Sequence, residues 1–372
     1  MRILATTPYY EPEGGGLERY AHAVLRRLAA RGHTVEVIAF TKGEEGDEVL
    51  DGVPVHRVRT RLRLGNTPLD PGFFTKVRRR IRAFGPDLMV AHTPVPFPAE
   101  MAYLAARKEG IPFVTTYHAG RLLGSAPHLQ AFAALDRVTF ERAMLGGSAG
   151  IVAVSPFVRD NALAAHKERT CIVPPGVDRS VFSPGGRSDG RTILFAGPLS
   201  RSYSWKGLDV LLEAFRIVKV RMPDARLMLV GEGDRMQELE RFAEEVGDVS
   251  LPGRLPEQGL VEAYRGSAVT VLPSTSDAES FGMVLAEANA CGRPVVGSRI
   301  GGIPYLVRHG DNGLLAAPGD PVDLAERILE VLSDPEEATR MGARGRHRIA
   351  ADHDWDRLTS ATEEVLEDAV RA

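Results

Sequence analysis

Residues 273–297 read PSTSDAESFGMVLAEANACGRPVVG and set Glu279 and Glu287 eight positions apart across the start of an expected helix. The apolar run Val269–Leu272 ahead of them has the length and composition of a short buried strand. Ser274–Ala278 is a polar loop, and Ser280 is the expected N-cap before Phe281, Gly282, Met283 and Val284. The helix should run to Cys291 and stop at Gly292, with Pro294 just beyond. Such a strand–loop–helix unit aims unbonded backbone N–H groups, and the positive end of the helix dipole, at whatever lies above the sheet. A phosphate fits there. Two carboxylates would repel it, so Glu279 in the loop and Glu287 two turns down the helix suit hydroxyls on either side of the anion. Ribose, diphosphate and hexose have that outline. The same glutamates also read as plain dipole complements on a solvated helix face.

The chain has 372 residues, enough for two domains with a core each, and its 44% hydrophobic and 26% charged content is that of a globular protein. No apolar run approaches the roughly 20 residues of a membrane-spanning helix. MRILATTPYY reads as a short strand ended by Pro8, not as a signal peptide. Cys171 and Cys291 are the two cysteines, too few for a disulfide framework or a thiolate metal cluster, which points to the reducing cytoplasm. Residues 1–187 hold 25 Lys and Arg against 18 Asp and Glu, whereas the remainder holds 21 against 31. The two halves differ in charge, and the first suits anionic surroundings.

Short apolar runs alternate with helical patterns throughout. Ile3–Thr6, Val35–Phe40, Leu88–Ala91, Phe113–Tyr117, Ile151–Val154 and Cys171–Val173 read as strands between helices at Leu17–Arg31, Phe73–Phe84, Pro98–Glu109 and His128–Leu145. Fully apolar short strands separated by helices indicate a parallel sheet covered on both faces. SPGGRSDGR at Ser183–Arg191 reads as a linker. A second series follows at Thr192–Ala196, Arg226–Val230, Val249–Leu251, Val269–Leu272 and Pro294–Val296. The fold class expected is α/β, with two doubly wound Rossmann-like domains at 1–187 and 188–352. Residues 353–372 form an amphipathic terminal helix.

Several further residues sit where open parallel sheets bind ligands. Gly14, Gly15 and Gly16 lie between the first strand and its helix, and His92 and His118 end strands. A plain flexible loop and buried structural histidines are the alternatives. Lys206 stands just ahead of the helix at Leu208, where its ammonium could neutralise a diphosphate. Gly231-Glu232-Gly233 invites a dinucleotide reading, but Met236 occupies the third glycine position. Asp352–Asp356 contains an Asp-x-Asp spacing, read as helix capping after both domains rather than as a metal site.

ESFGMVLAEANACGRPVV resembles the Glu-x7-Glu signature of family 4 retaining glycosyltransferases, and the likeness extends from Gly14 through PPGVD at Pro174–Asp178 to DWD at Asp354–Asp356. That resemblance implies a glycosyltransferase-B fold, with the two domains facing a central cleft and the terminal helix crossing back to the first. It implies transfer of a hexosyl group from a nucleoside diphosphate sugar to an acceptor hydroxyl, with a lipid or a glycan as the candidate acceptors, with retention and without a metal or other cofactor. A UDP-sugar is favoured, with GDP-mannose as the other donor. By the same resemblance, His118 contacts the donor hexose, Lys206 and Glu279 serve catalysis, and Gly15 and Gly16 approach the diphosphate. Ser280, Phe281, Gly282, Met283, Val284 and Glu287 bind the donor, and the loop at Arg254 and Leu255 reads the base through its backbone. The family often has an arginine where Pro198 stands, and Arg201 is the expected substitute. A nucleotide-sugar epimerase of the same fold and a non-catalytic nucleotide-sugar-binding protein are the alternatives.

The first domain's charge concentrates in two places. In VHRVRTRLRL, alternation puts Arg57, Arg59, Arg61 and Arg63 on one strand face. Lys76, Arg78, Arg79, Arg80 and Arg82 crowd the following helix beside Phe73, Phe74 and Ile81. Nine cations in 26 residues suggest contact with an anionic membrane surface, at its inner face, or with a phosphorylated acceptor. Nucleic acid is not expected, since no binding motif appears.

Overall fold

A computed structural model describes residues 1–65, 67–119 and 134–372. The chain divides into two compact units, one of residues Met1–Pro175 with Trp355–Ala372 and the other of Gly176–Asp354. Each is an α/β unit built on its own sheet.

In the first unit the strands are β1 (Arg2–Thr7), β2 (Thr34–Thr41), β3 (Gly46–Leu50), β4 (Val53–Arg59), a separate hairpin of β5 (Leu62–Leu64) and β6 (Thr67–Leu69), then β7 (Leu88–Thr93), β8 (Phe113–Tyr117), β9 (Gly150–Ala153) and β10 (Thr170–Ile172). The eight-stranded sheet has the order β10-β9-β8-β7-β1-β2-β4-β3. Its pairs are parallel except β3 with β4. Side chains alternate between the faces: Ile3 and Ala5 enter one core with Val24 and Leu25, while Leu4 enters the other with Phe73 and Val77. The terminal helix Trp355–Arg371 adds Trp355, Leu358 and Leu366 to the first of these cores. Glu363 anchors it, accepting from Arg31 at 2.9 Å and bonding His33 at 2.6 Å.

The second unit holds β11 (Thr192–Ala196), β12 (Arg226–Val230), β13 (Val249–Gly253), β14 (Val269–Leu272), β15 (Val295–Ser298) and β16 (Gly313–Ala316). They form an all-parallel sheet in the order β13-β12-β11-β14-β15-β16. Ile193 and Phe195 face one core and Leu194 and Ala196 the other. Strand order reverses between β1 and β7 in the first unit and between β11 and β14 in the second. Crevices for ligands open at the carboxyl ends of strands at such points.

Several boundaries differ from the sequence-based expectation. The division falls after Pro175, not after residue 187, because Gly176–Arg191 packs on the second unit. Val177 joins its core, Phe182 meets Tyr264 edge-on, and Arg265 donates to the Ser183 carbonyl at 2.7 Å. Counted by these units, 25 Lys and Arg meet 22 Asp and Glu in the first, and 21 meet 27 in the second, because the terminal helix returns five acids. Neither β3 nor β16 was anticipated. Of the expected helix His128–Leu145, residues 128–133 lie outside the described residues, and the described part has π-helical turns at Arg137–Glu141.

The basic strand face does not form. β4 ends at Arg59, and Arg61–Leu64 turns away into the small hairpin, so the alternation breaks at Thr60. Arg57 is buried, pairs with Glu48 at 2.7 Å and donates to the carbonyls of Tyr10 and Glu11. Most of the other cations also have carboxylate partners: Arg61 with Asp70, Lys76 with Glu45 and Asp70, Arg78 and Arg82 with Glu109, Arg80 with Glu36. These cations are thus largely engaged with acids of the same unit.

The helix Met283–Ala290 is held from behind by the helix Pro335–Asp352. A Cβ at Gly342 would lie 2.1 Å from the Gly292 carbonyl oxygen, and one at Gly345 would lie 2.6 Å from the Asn289 side chain. Asn289 and Asn312, both fully buried, bond each other at 2.7 Å and tie the helix to the β16 edge. Helix propensity alone makes Gly342→Ala stabilising by up to about 1 kcal/mol. The backbone collision is larger, so the substitution should instead destabilise by roughly 1–3 kcal/mol. Thermal unfolding checks this against Gly266→Ala, where an added methyl meets nothing and the midpoint should hold.

Candidate functional site

Two polar clusters occupy the two switch points, one in each unit. In the second unit, β11 leads through Gly197–Ser200 into a 3-10 turn, Arg201–Lys206, which ends at Gly207. Gly207 has φ +75°, and a Cβ there would lie 1.8 Å from the Pro273 carbonyl oxygen. Glycine alone therefore lets this turn lie against the loop after β14. Thr275 N–H donates to the Trp205 carbonyl at 2.8 Å and locks the contact. The result places Lys206 Nζ 2.7 Å from Glu279 Oε2, the same oxygen that Ser274 Oγ reaches at 3.3 Å. Lys206 also lies over the Trp205 ring at 4.5 Å. Glu279 is buried, and Lys206 keeps about a fifth of its side chain exposed.

The backbone of Glu279 and Ser280 is covered by a second glycine pair. A Cβ on Gly301 would stand 2.1 Å from the Glu279 carbonyl oxygen, and one on Gly302 1.8 Å from that of Ser280. Ser280 is not the N-cap. Gly282 takes that role at φ +91°, the helix opens at Met283, and no side chain caps its first turn. The first N–H groups of that helix therefore have no intrahelical acceptor. Phe281 is buried against His353, ring centroids 5.1 Å apart. Glu287 lies one turn into the helix, not two, and its Oε2 accepts from the buried Tyr264 hydroxyl at 2.7 Å.

Four residues lie outside that cluster. Arg201 is largely exposed and pairs with Glu238 at 2.9 Å. Arg254 is exposed just after β13, while Leu255 leans on the core. Asp354, just ahead of the terminal helix, pairs with Arg179 at 3.0 Å.

In the first unit the glycine loop is shaped by Glu18. Its Oε2 accepts from Gly15 N–H at 2.7 Å, and a Cβ on Gly14, at φ +112°, would collide with the Glu18 side chain. Burial raises the Glu18 carboxyl above its ordinary range, opposed by the Gly15 N–H. Gly15 is the N-cap and Gly16 the first residue of the helix Gly16–Ala30, and the space over Gly16 is open. Across the switch point, His92 on β7 and His118 just after β8 are both buried, with His92 Nδ1 and His118 Nε2 2.8 Å apart. Tyr20 meets both rings edge-on and donates to the Val173 carbonyl. Burial pushes the His92 imidazole down to about 3, and burial with the neighbouring ring pushes His118 well below the usual range. Both rings are neutral at physiological pH.

Sequence reasoning singled out Lys206, Glu279, Glu287, Gly15 and Gly16, and did not find Ser274, Tyr264, Glu18 or the Gly301-Gly302 pair. The last had a readable signal, two glycines between a strand and a helix. Tyr264 gave none, because its partner is 23 positions away in the chain, and Ser274 read only as part of the polar loop before Glu279. A cavity of about 400 Å³ lined by Tyr103, Arg107 and Phe113 lies at the amino end of β8, away from both clusters.

Residues 14–181 match the family model described as Glycosyltransferase Family 4, and residues 178–348 match that described as Glycosyl transferases group 1. The D-inositol 3-phosphate glycosyltransferase 1 of Catenulispora acidiphila is 31% identical over 97% of this chain and 94% of its own length. The phosphatidyl-myo-inositol mannosyltransferase of Mycobacterium tuberculosis is 29% identical over 99% and 97%. Among solved structures, Anabaena Alr3699/HepE in complex with UDP-glucose superposes with a TM-score of 0.77 at 20% identity, covering 99% of this chain and 100% of that one.

The buried carboxylate of Glu279 depends on Lys206. Lys206→Met should lower stability by roughly 1–3 kcal/mol, the cost of a carboxylate left without its charged donor. Adding Glu279→Gln should recover a large part of that loss. Additive losses in denaturant unfolding of the two single variants and the double would show that the pair carries no coupling.

Proposed function

The chain belongs to the family 4 glycosyltransferases, with the two Rossmann-like domains of the glycosyltransferase-B fold, and we propose that it moves a hexosyl group from a UDP-sugar to an acceptor hydroxyl with retention. The carrying observation is Lys206 Nζ at 2.7 Å from Glu279 beside the uncapped start of the helix Met283–Ala290. That arrangement offers a cation and free amides to a diphosphate, with carboxylates for flanking hydroxyls. The UDP-glucose bound to the Anabaena neighbour supports a uridine donor. The inositol-phosphate and phosphatidyl-inositol acceptors named for the chain's relatives support an acceptor that carries phosphate.

In the reaction proposed, the bond from the anomeric carbon to the β-phosphate oxygen breaks as the acceptor oxygen bonds that carbon from the same face. The acceptor proton passes to the departing phosphate. Glu279 is engaged by Lys206 and Ser274, which supports a single displacement over a glycosyl-enzyme formed on that carboxylate. Lys206 and the helix amides take up the charge that grows on the diphosphate, so no metal is required. Gly15 and Gly16 let the backbone close on the diphosphate and acceptor, and His118 contacts the hexose. Glu287 holds the ribose with the capacity its bond to Tyr264 leaves. Ser280 to Val284 line the diphosphate, and the backbone at Arg254 and Leu255 meets the base. Arg201 joins only by leaving Glu238.

Two measurements test this. Lys206→Ala should lower kcat by about 100-fold or more while donor affinity falls less, because the charge it meets grows toward the transition state. Normal turnover with only a raised donor KM would contradict that role. Glu287→Gln should weaken UDP binding by about tenfold, since an acceptor to hydroxyls becomes a donor. Calorimetry reads the affinity, and thermal-shift comparison of UDP- with GDP-sugars checks the base.

A further inference from the structure

The histidine pair of the first unit contains an atom that the reaction leaves unexplained. His92 Nδ1 and His118 Nε2 are 2.8 Å apart, whereas His92 Nε2 is buried without a hydrogen-bond partner among the described residues. His92 is 2% exposed and His118 7%. Their rings lie 5.1 Å apart at an interplanar angle of 35°.

Two neutral rings share one N–H···N bond in one of two ways. If His118 Nε2 carries the hydrogen, His92 Nδ1 is the acceptor and His92 Nε2 must carry the other hydrogen. A buried N–H then has no acceptor, the kind of orphan that native structures rarely tolerate. If His92 Nδ1 carries it, His92 Nε2 is only a lone pair, and His118 becomes protonated at Nδ1. The second arrangement leaves no orphaned donor.

We propose that His92 is a positioning residue that holds His118 in its Nδ1–H tautomer, so that His118 presents a neutral hydrogen-bond donor to an oxygen of the bound sugar. The idea rests on the reading above that His118 contacts the hexose. It also removes His118 Nδ1 as a base for the acceptor proton, in keeping with transfer of that proton to the phosphate. Tyr20, edge-on to both rings, and their burial restrict rotation that would break the pair. The nitrogen bonded by a neighbour decides which nitrogen keeps the proton.

The test uses ring-15N-labelled full-length protein, with the His118 signals assigned by their loss in His118→Ala. Long-range 1H–15N correlation should show His118 protonated at Nδ1 and bare at Nε2 in the wild type. His92→Phe keeps a buried ring but removes the donor, and should let His118 shift to the Nε2–H form. His92→Asn restores a donor at the place of Nδ1 and should restore the Nδ1–H form. A wild-type His118 protonated at Nε2, or a tautomer unmoved in the Phe variant, overturns the proposal. In kinetics, His92→Phe should lose about tenfold in kcat, with recovery in His92→Asn, as expected for one mispresented hydrogen bond. A shifted tautomer with unchanged turnover would instead remove His118 from the reaction while His92 still sets its tautomer. Should the Phe variant unfold, the wild-type and Asn spectra alone decide the tautomer.

Discussion

The near-contact of two backbones, Gly207 against the Pro273 carbonyl, is the constraint from which the second unit's cluster follows. Lys206 precedes that glycine, and Pro273 begins the loop that carries Ser274 and Glu279. Any side chain at Gly207 would push the turn away and draw Lys206 off its carboxylate. Gly301 and Gly302 close on the same loop from another direction, against Glu279 and Ser280. Three glycines thus hold a buried carboxylate beside a partly exposed ammonium. The loop is fixed by close backbone approaches that only glycine allows, together with backbone bonds such as Thr275 N–H to the Trp205 carbonyl.

The first unit meets the same topological problem with a backbone-bound carboxylate and a pair of uncharged rings. Its parallel strands are apolar on both faces, so polar side chains collect where the strands end. Glu18 turns its carboxylate inward to a backbone N–H, and the two histidines face each other in a dry setting that keeps them uncharged. Charge enters the second unit's cluster through Lys206 and Glu279, which neutralise each other. Burying one without the other would be costly, whereas a bonded pair is tolerated.

Charge counted along the chain misleads for a related reason. The basic stretch from Arg57 to Arg82 contains one of its acid partners, Asp70, and finds the others, Glu36, Glu45, Glu48 and Glu109, outside its own run of sequence. Arg57 fastens the Tyr10–Glu11 backbone ahead of the glycine loop, a structural task. The terminal helix carries acids back to the first unit and shrinks its excess further.

Much of this protein is set by local pattern. Short apolar runs between amphipathic stretches dictate parallel strands and helices, because a strand buried on both faces has few polar options. The strands of both sheets were legible on that basis, apart from β3, β16 and the broken run after Arg59. The Glu279 loop and the glycines before Leu17 were legible because strand–loop–helix units place them at strand ends. What tertiary structure decided is pairing. Lys206 and Glu279 are 73 positions apart, and Tyr264 and Glu287 are 23 apart. His92 meets His118 across 26 positions, and Arg57 its acid across nine. A sequence read locally gives each group's chemistry. Only the fold determines which partner holds its proton or its charge, because both depend on distance in space and on the exclusion of water.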